Sequence, residues 1–301
     1  MKILITGGLG FVGQHLCKSL TLEHEILISS RSKFIYSDGL LCKSLNLTKF
    51  EDVDNFITSN KIQTVIHLSA QSSVHVSFEN PIHTMKDNIL STLNLLEVCQ
   101  NNNIKLIVAG TSEVYKTKEQ KLTENSELEA RSPYTISKMV QDSYINLLKP
   151  ENVILLRLFN HVGPGQSDNF VLSSFAKQLA NIKKNNAEPV IYVGNLNVSR
   201  DFTDVRDVCR IYSTLVSNNN QSSIYNVCSG NAYNILELLK KLIEIAKIDV
   251  EIKTDPSRIR KIDVPFFVGD NSKITNEFGW KPEIKIEQTL EDMFNWWMGK
   301  I

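Results

Sequence analysis

Metal-binding, disulfide and hydrolase patterns are missing from this sequence. Its five cysteines are odd in number and none forms a C-x-x-C pair, which argues against a disulfide framework and against a zinc ribbon. We therefore expect buried, reduced thiols in a cytoplasmic protein. The six histidines show neither an H-E-x-x-H motif nor clustered spacing, so no metal site is predicted. A G-x-S-x-G motif, which would indicate a hydrolase, is missing as well.

Long apolar runs and an excess of either charge are also missing. No apolar run approaches the ~18 residues of a membrane helix, and the first residues lead into glycines without a small-residue cleavage site, so we expect no targeting segment. The 33 basic and 33 acidic residues cancel, which disfavours nucleic acid and membrane surfaces as partners but allows a local basic pocket for an anionic small molecule. The 301 residues suit one large or two coupled domains.

Short runs rich in Ile, Val and Leu alternate with helix-length amphipathic stretches. The alternation predicts a doubly wound parallel α/β sheet of the Rossmann type with right-handed crossovers. The expected strands are Lys2–Thr6, Glu25–Ser29, Thr64–Leu68, Leu106–Ala109 and Val153–Leu158. The expected helices are Phe11–Leu22, Phe50–Ser59, Pro81–Asn101 and Pro133–Leu148, with Val171–Lys184 and Ile235–Lys247 in a smaller C-terminal α/β part. We expect a dinucleotide-binding domain over 1–160 with a returning segment at about 202–232, and a substrate domain over 161–301.

Glycine is scarce, with 13 in the chain, yet Gly7, Gly8, Gly10 and Gly13 follow the first expected strand directly. A tight turn, a close backbone approach to a pyrophosphate and helix–strand packing each require a glycine in such a loop. The next helix would direct its N-terminal amides at the phosphates. Strand, G-x-x-G-x-x-G and helix together predict a dinucleotide site.

The end of the second strand predicts which dinucleotide binds. An NAD-selective site would place Asp or Glu there for the ribose 2′-hydroxyl, whereas this chain has Ser30 and Arg31. A hydroxyl and a guanidinium suit a 2′-phosphate. We therefore expect NADPH as cofactor, with NADH possible, and a roughly 10- to 100-fold loss of NADPH affinity in Arg31→Ala.

Tyr134 and Lys138 are four residues apart and lie on one face of an expected helix, with Ser132 as N-cap and Pro133 as first helical residue. A nearby ammonium lowers a phenol's pKa and allows proton transfer near neutral pH. The pair predicts acid–base catalysis.

Together these motifs resemble the extended short-chain dehydrogenase/reductase family. Thr6–Gly13 matches its phosphate loop, Tyr134 and Lys138 match its Y-x-x-x-K pair, and 109–115 matches its strand end, where Thr111 is implied to complete a catalytic triad. The resemblance implies a Rossmann fold and oxidoreductase activity. It also implies a cofactor site containing Gly7, Gly10, Phe11, Val12, Gly13, Ser30, Arg31, Asn46, Leu47, Leu68, Ser69, Ala70, Asn88, Tyr134 and Lys138.

The second half is most similar to GDP-4-keto-6-deoxy-D-mannose reductases, through the segments 157–166, 200–207, 225–230 and 255–260. This implies that Arg200 and Arg260 clamp the diphosphate of a nucleotide sugar, with Asn160 and Lys177 assisting. The implied reaction is NADPH-dependent reduction at carbon 4, from GDP-4-keto-6-deoxy-D-mannose to GDP-D-rhamnose. The family also implies a homodimer formed through Pro81–Asn101 and Pro133–Leu148.

Other functions stay open from the sequence. Glu113 lies two residues before Tyr115, where a dehydratase places its acid/base, so a nucleotide-sugar 4,6-dehydratase or an epimerase is an alternative. A dTDP-4-keto-6-deoxyhexose reductase is another, because the sequence does not fix the base. A non-catalytic NADP(H)-sensing protein is the third, although such proteins typically lose the tyrosine or the lysine.

Overall fold

A computed structural model describes residues 1–31, 35–37 (backbone only), 40–185, 187–218, 223–259 and 264–301. Among these residues, no helix is both long and apolar enough to span a membrane. The strands are β1 Lys2–Thr6, β2 Glu25–Ser30, β3 Ile35–Ser37, β4 Leu40–Ser44, β5 Thr64–His67, β6 Lys105–Ala109, β7 Val153–Leu158, β8 Asn160–Val162, β9 Val190–Val193, β10 Ser199–Arg200, β11 Phe202–Asp204, β12 Ser223–Val227, β13 Tyr233–Asn234, β14 Glu251–Thr254 and β15 Phe266–Phe267. The α-helices are α1 Phe11–Leu20, α2 Phe50–Ser59, α3 Val74–Glu79, α4 Pro81–Asn101, α5 Pro133–Leu148, α6 Val171–Asn185, α7 Val205–Ser217, α8 Ile235–Ala246, α9 Ser272–Phe278 and α10 Ile286–Lys300.

The chain divides into two compact units. The first contains 1–116, 124–158 and 209–227, and the second contains 117–123, 159–208 and 228–301. The returning segment therefore begins at Cys209 rather than near residue 202, and 117–123 lies in the second unit. The assignment of a cofactor to one unit and a nucleotide sugar to the other stays a prediction.

The first unit is built on one sheet with the strand order β12-β7-β6-β5-β1-β2-β4-β3. Every neighbouring pair is parallel except β3 with β4. From β1 the chain first adds strands on one side, through β2 to β4, and then crosses to β5 and adds β6, β7 and β12 on the other. The predicted doubly wound Rossmann-type sheet is thus confirmed, and its order reverses between β1 and β5. Ligands of such sheets bind outside the carboxyl ends of the strands at this reversal.

Apolar packing explains why these segments become strands and helices. Val65 and Leu106 of the central strands are fully buried, as expected for parallel strands covered on both faces. On one face they pack against apolar side chains of α2, α4 and α5, including Val53, Leu95 and Ile145.

The second unit has its own core. Helices α6, α8 and α10 bury Leu179, Leu242 and Leu290 together. Small sheets accompany them: β10 with β13 and β15, β8 with β11, and β9 with β14. This agrees with the smaller α/β part expected from the sequence.

Candidate active site

The glycine loop follows β1 at the point where the strand order reverses. Gly7 has φ +74°, and a Cβ there would lie 2.9 Å from Ser69 N, while a Cβ on Gly13 would lie 2.5 Å from Gly7 O. Both positions therefore exclude a side chain. Leu68 N donates to Thr6 O (3.1 Å), which holds 68–70 beside the loop. The predicted loop residues are thus brought together with Leu68, Ser69 and Ala70.

Helix α1 begins after Gly10, which has no side chain to cap the helix. Its first turn, Phe11-Val12-Gly13-Gln14, is uncharged, so no acidic side chain opposes an anion at the positive end of the helix dipole. The close approach of Gly7 to Ser69 and the uncapped helix start fit the pyrophosphate of a dinucleotide.

Asn88 ties this loop region to two helices. Its Oδ1 accepts from Gln71 N (2.9 Å), and its Nδ2 donates to Ser137 Oγ (3.0 Å) on α5 and to Gln71 O (3.1 Å). The buried amide therefore fixes the segment after β5 against α4 and α5.

The residues predicted to contact the cofactor's adenosine lie at and after the end of β2, and two of their polar side chains have partners within the protein. Arg31 Nη1 lies 3.3 Å from Asp87 Oδ2 on α4, and the Arg31 side chain is 83% exposed. Asn46 Oδ1 accepts from its own neighbour Thr48, through N at 3.1 Å and Oγ1 at 2.8 Å. Leu47 is buried. Ser30, at the end of β2, is half-buried.

Helix α5 begins as the sequence predicts. Ser132 Oγ accepts from Thr135 N (3.0 Å), Thr135 Oγ1 accepts from Ser132 N (2.8 Å), and Pro133 is the first helical residue. This capping box fixes the first turn and so sets where Tyr134 and Lys138 lie.

Thr111, Tyr134 and Lys138 come together at the carboxyl end of β6. All three are buried, with 8%, 7% and 4% exposure. The Thr111 and Tyr134 side chains share a hydrogen bond, Glu113 N donates to Thr111 Oγ1 (3.2 Å), and Lys138 Nζ donates to Ala109 O (2.9 Å). The predicted residues thus form one cluster.

The electrostatics of this cluster differ from the sequence-based expectation in one respect. We expected Lys138 to lower the pKa of Tyr134; that was wrong. Burial raises the pKa of the Tyr134 phenol to about 12, the Thr111 hydrogen bond opposes this shift, and the Glu113 charge adds to it. Burial lowers the pKa of Lys138 to about 8. The phenol therefore holds its proton at neutral pH, which suits a proton donor.

A buried ion pair next to this cluster was missed. Arg157 on β7 donates to Asp142 on α5 through Nε (2.6 Å) and Nη2 (2.7 Å). Its Nη1 donates to Tyr115 Oη and to Glu124 O, both at 2.8 Å, and Tyr115 Oη donates to Asn226 Oδ1 (2.6 Å). An arginine inside an apolar strand, and an acid four residues after Lys138 on the buried face of its helix, were the signals that could have found it.

Three of the residues predicted to bind the substrate, Asn160, Lys177 and Arg200, lie in the second unit. Arg200 Nη1 donates to Ser199 O (2.9 Å) and Val264 O (2.5 Å). Asn160 pairs with Phe202 across β8 and β11, and its Nδ2 donates to Asp201 O (3.1 Å), so it is close to Arg200. Lys177 on α6 instead pairs with Asp168, 2.7 Å away, and lies over the Trp297 ring. Arg260 lies outside the described residues.

Comparison with known proteins identifies the family to which the chain belongs. The family model for GDP-mannose 4,6-dehydratase matches residues 4–293. The GDP-6-deoxy-D-mannose reductase of Pseudomonas aeruginosa is 32% identical over 312 residues, which cover 100% of this chain and 98% of the relative. The GDP-6-deoxy-D-talose 4-dehydrogenase of Aggregatibacter actinomycetemcomitans is 29% identical, over 98% and 97% of the two chains.

Solved structures extend the similarity. The structure of RMD from Pseudomonas aeruginosa complexed with NADPH superimposes with a TM-score of 0.86 at 31% identity, covering 100% of this chain and 99% of that one. The UDP-glucose 4-epimerase of Thermotoga maritima with UDP-glucose gives 0.89 at 25% identity, covering 100% and 99%. The family predicted from the motifs is thus confirmed: the chain belongs to the GDP-mannose 4,6-dehydratase family of extended short-chain dehydrogenases/reductases.

Proposed function

We propose that this protein is an NADPH-dependent reductase that acts at carbon 4 of a nucleotide-linked 4-keto-6-deoxyhexose and converts GDP-4-keto-6-deoxy-D-mannose to GDP-D-rhamnose. The observation that carries the proposal is the buried cluster of Tyr134, Thr111 and Lys138, in which burial keeps the Tyr134 phenol protonated and Thr111 is hydrogen-bonded to it. The relative named GDP-6-deoxy-D-mannose reductase supports the substrate. The similar structure of RMD from Pseudomonas aeruginosa, complexed with NADPH, supports the cofactor.

NADPH, when bound, supplies the hydride that a carbonyl carbon accepts. The carbonyl oxygen then gains negative charge, and Thr111 stabilises it by donating a hydrogen bond. Tyr134 delivers its proton to the same oxygen, which completes the alcohol. Lys138, on the same helix as Tyr134, binds the nicotinamide ribose. The amides at the start of α1 hold the cofactor's pyrophosphate.

The nucleotide sugar carries two phosphates, and the chain is neutral overall. Arg200 and Arg260 would neutralise them through charge-assisted hydrogen bonds. Asn160, near Arg200, would donate from its amide. Lys177 would take part only by leaving Asp168, since the two are an ion pair.

A 4,6-dehydratase is the second candidate. Glu113 is close enough for its charge to raise the Tyr134 pKa, and the matching family model carries the dehydratase name. A carboxylate at this position could remove a proton from carbon 5, and the enzyme would recycle its cofactor instead of consuming it.

Substrate screening separates these candidates. NADPH oxidation is measured with GDP- and dTDP-linked 4-keto-6-deoxyhexoses, and the product is examined by NMR, where the coupling between H3 and H4 distinguishes 6-deoxymannose from its 4-epimer 6-deoxytalose. We expect oxidation with the GDP-linked ketone and 6-deoxymannose as product. Conversion of GDP-mannose or dTDP-glucose without added NADPH would identify a dehydratase and overturn the proposal.

We further propose a cytoplasmic homodimer formed through α4 and α5. Ile136, Val140, Tyr144 and Leu147 lie on one side of α5 with between 37% and 81% exposure, a stripe that a partner copy would cover. Light scattering of the protein and of Leu147→Glu tests this: we expect a dimer that the substitution weakens. A monomeric unmodified protein would contradict it.

A further inference from the structure

We propose that Asp87 tunes the cofactor preference by competing with the 2′-phosphate of NADPH for Arg31. The inference rests on the proposed function, because it requires Arg31 to meet that phosphate. In this proposal Asp87, on α4, lowers the affinity for NADPH and leaves NADH binding unchanged.

The position of Arg31 follows from the sheet. Ser29 of β2 pairs with Thr6 of β1, so Arg31 leaves the sheet at the same edge as the Gly7–Gly13 loop. Asp87 precedes Asn88 on α4, and Asn88 is hydrogen-bonded to Gln71 in the segment after β5. The carboxylate therefore sits on a helix turn that is fastened to this same edge.

The Arg31 and Asp87 side chains differ in how freely each can move. The Arg31 side chain is 83% exposed and the Asp87 side chain only 26%. Asp87 Oδ2 lies 3.3 Å from Arg31 Nη1, and Asp87 Oδ1 lies 3.3 Å from His83 Nδ1, one turn earlier on α4. The carboxylate is therefore the fixed partner, and the guanidinium is the group that can turn towards a ligand.

Charge then distinguishes the two cofactors. A 2′-phosphate must draw the guanidinium from Asp87, and it also meets the carboxylate as a charge of the same sign. NADH lacks this phosphate, so it binds with the Arg31–Asp87 pair intact. Both effects act against NADPH alone. Because exposed pairs are weak, we expect a change of roughly 3- to 10-fold.

The test compares dissociation constants of NADPH and NADH for the whole protein, measured by calorimetry. Asp87→Asn removes the charge and keeps the shape, so NADPH should bind roughly 3- to 10-fold more tightly, with NADH changed less than about 2-fold. The gain should disappear in the Arg31→Ala background and shrink at high salt. Glu97→Gln is the matched control: an exposed acid on the same helix, ten residues further along and about 15 Å away.

Failure of the proposed Asp87 role and failure of the NADPH assignment would give different results. If Arg31→Ala weakens NADPH binding and Asp87→Asn leaves it unchanged or weaker, the role of Asp87 is overturned and the NADPH assignment stands. If Arg31→Ala itself leaves NADPH affinity unchanged, the placement of the phosphate at Arg31 fails, and the proposed cofactor preference fails with it.

Discussion

The proposed catalytic cluster and the charged groups proposed to bind phosphates differ in burial and in what holds them. Tyr134 and Lys138 are 7% and 4% exposed, and both side chains of the Arg157–Asp142 ion pair are 4% exposed. Arg31 is 83% exposed, and Lys177 is 43% exposed in a pair with Asp168. The proposed reacting groups are thus fixed in place by packing, whereas Arg31 and Lys177 would have to exchange a protein partner for a ligand in order to bind it. Substitutions in the first region should therefore have large effects, and those in the second smaller ones.

The largest effect should follow from removing the proton donor. Tyr134→Phe preserves ring packing and removes the hydroxyl, so turnover should fall ~10²–10⁴-fold with little change in stability. Thr111→Val should cost on the order of 10²-fold, through the lost contact to the developing oxyanion. Initial rates at saturating substrates measure both. Turnover within about threefold of the unmodified enzyme in Tyr134→Phe would exclude the phenol as the donor.

The buried ion pair should matter next. Asp142→Asn leaves the Arg157 guanidinium buried without its counter-charge, which costs about 3–5 kcal/mol of unfolding free energy. Urea unfolding at pH 7 measures the loss. Asp168→Asn breaks the exposed pair with Lys177 and is the matched control, with an expected change below about 1 kcal/mol. Equal losses in the two variants would contradict the contrast drawn between the regions.

A substitution of Arg200 tests its proposed role in binding the nucleotide sugar. Replacing it with Met removes a charge-assisted contact to the diphosphate, so the Michaelis constant for the nucleotide sugar should rise roughly 10- to 100-fold. NADPH affinity should stay nearly unchanged, because the cofactor's pyrophosphate is assigned to the glycine loop. Because Lys177 is already paired with Asp168, Lys177→Met should raise the Michaelis constant less. A variant at Arg200 that loses NADPH binding and keeps sugar affinity would reverse the assignment.

The smallest expected effect is a fall in the reduction rate at alkaline pH. Burial lowers the pKa of Lys138 to about 8, so its ammonium is present below pH 8 and lost above it. Tyr134, with its pKa raised to about 12, keeps its proton throughout this range. Reduction should therefore slow by up to about tenfold between pH 8 and pH 9. The Lys138→Arg variant is expected to be slower but to stay charged, so its activity should not fall over this pH range. A fall that persists in this variant would show that another group titrates.

Local signals explain what the sequence could predict. Helix α5 has the expected bounds, Pro133–Leu148, because Ser132 and Pro133 define its start and Lys149 ends it in a left-handed conformation. Tyr134 and Lys138 then share a face by helix geometry alone. The central strands are found because they are continuous apolar runs.

Non-local contacts explain what the sequence did not predict. Arg157 and Asp142 belong to a strand and a helix that are joined only by folding, and the raised Tyr134 pKa depends on burial by the whole unit. Helix α7, Val205–Ser217, was not predicted, although its buried residues Val208, Ile211, Tyr212 and Leu215 recur at helical spacing. The partner of Arg31 is likewise set by where α4 passes the sheet edge.

Deuterium transfer tests the proposed reaction most directly. NADPH deuterated at both nicotinamide C4 positions is incubated with GDP-4-keto-6-deoxy-D-mannose and the enzyme, and the product is examined by NMR. We expect one deuterium at carbon 4 of the sugar, one NADPH oxidised per product, and the loss of both signals in Tyr134→Phe. A product without deuterium at carbon 4, or conversion of GDP-mannose to a 4-keto sugar with no NADPH consumed, would contradict the proposed reductase.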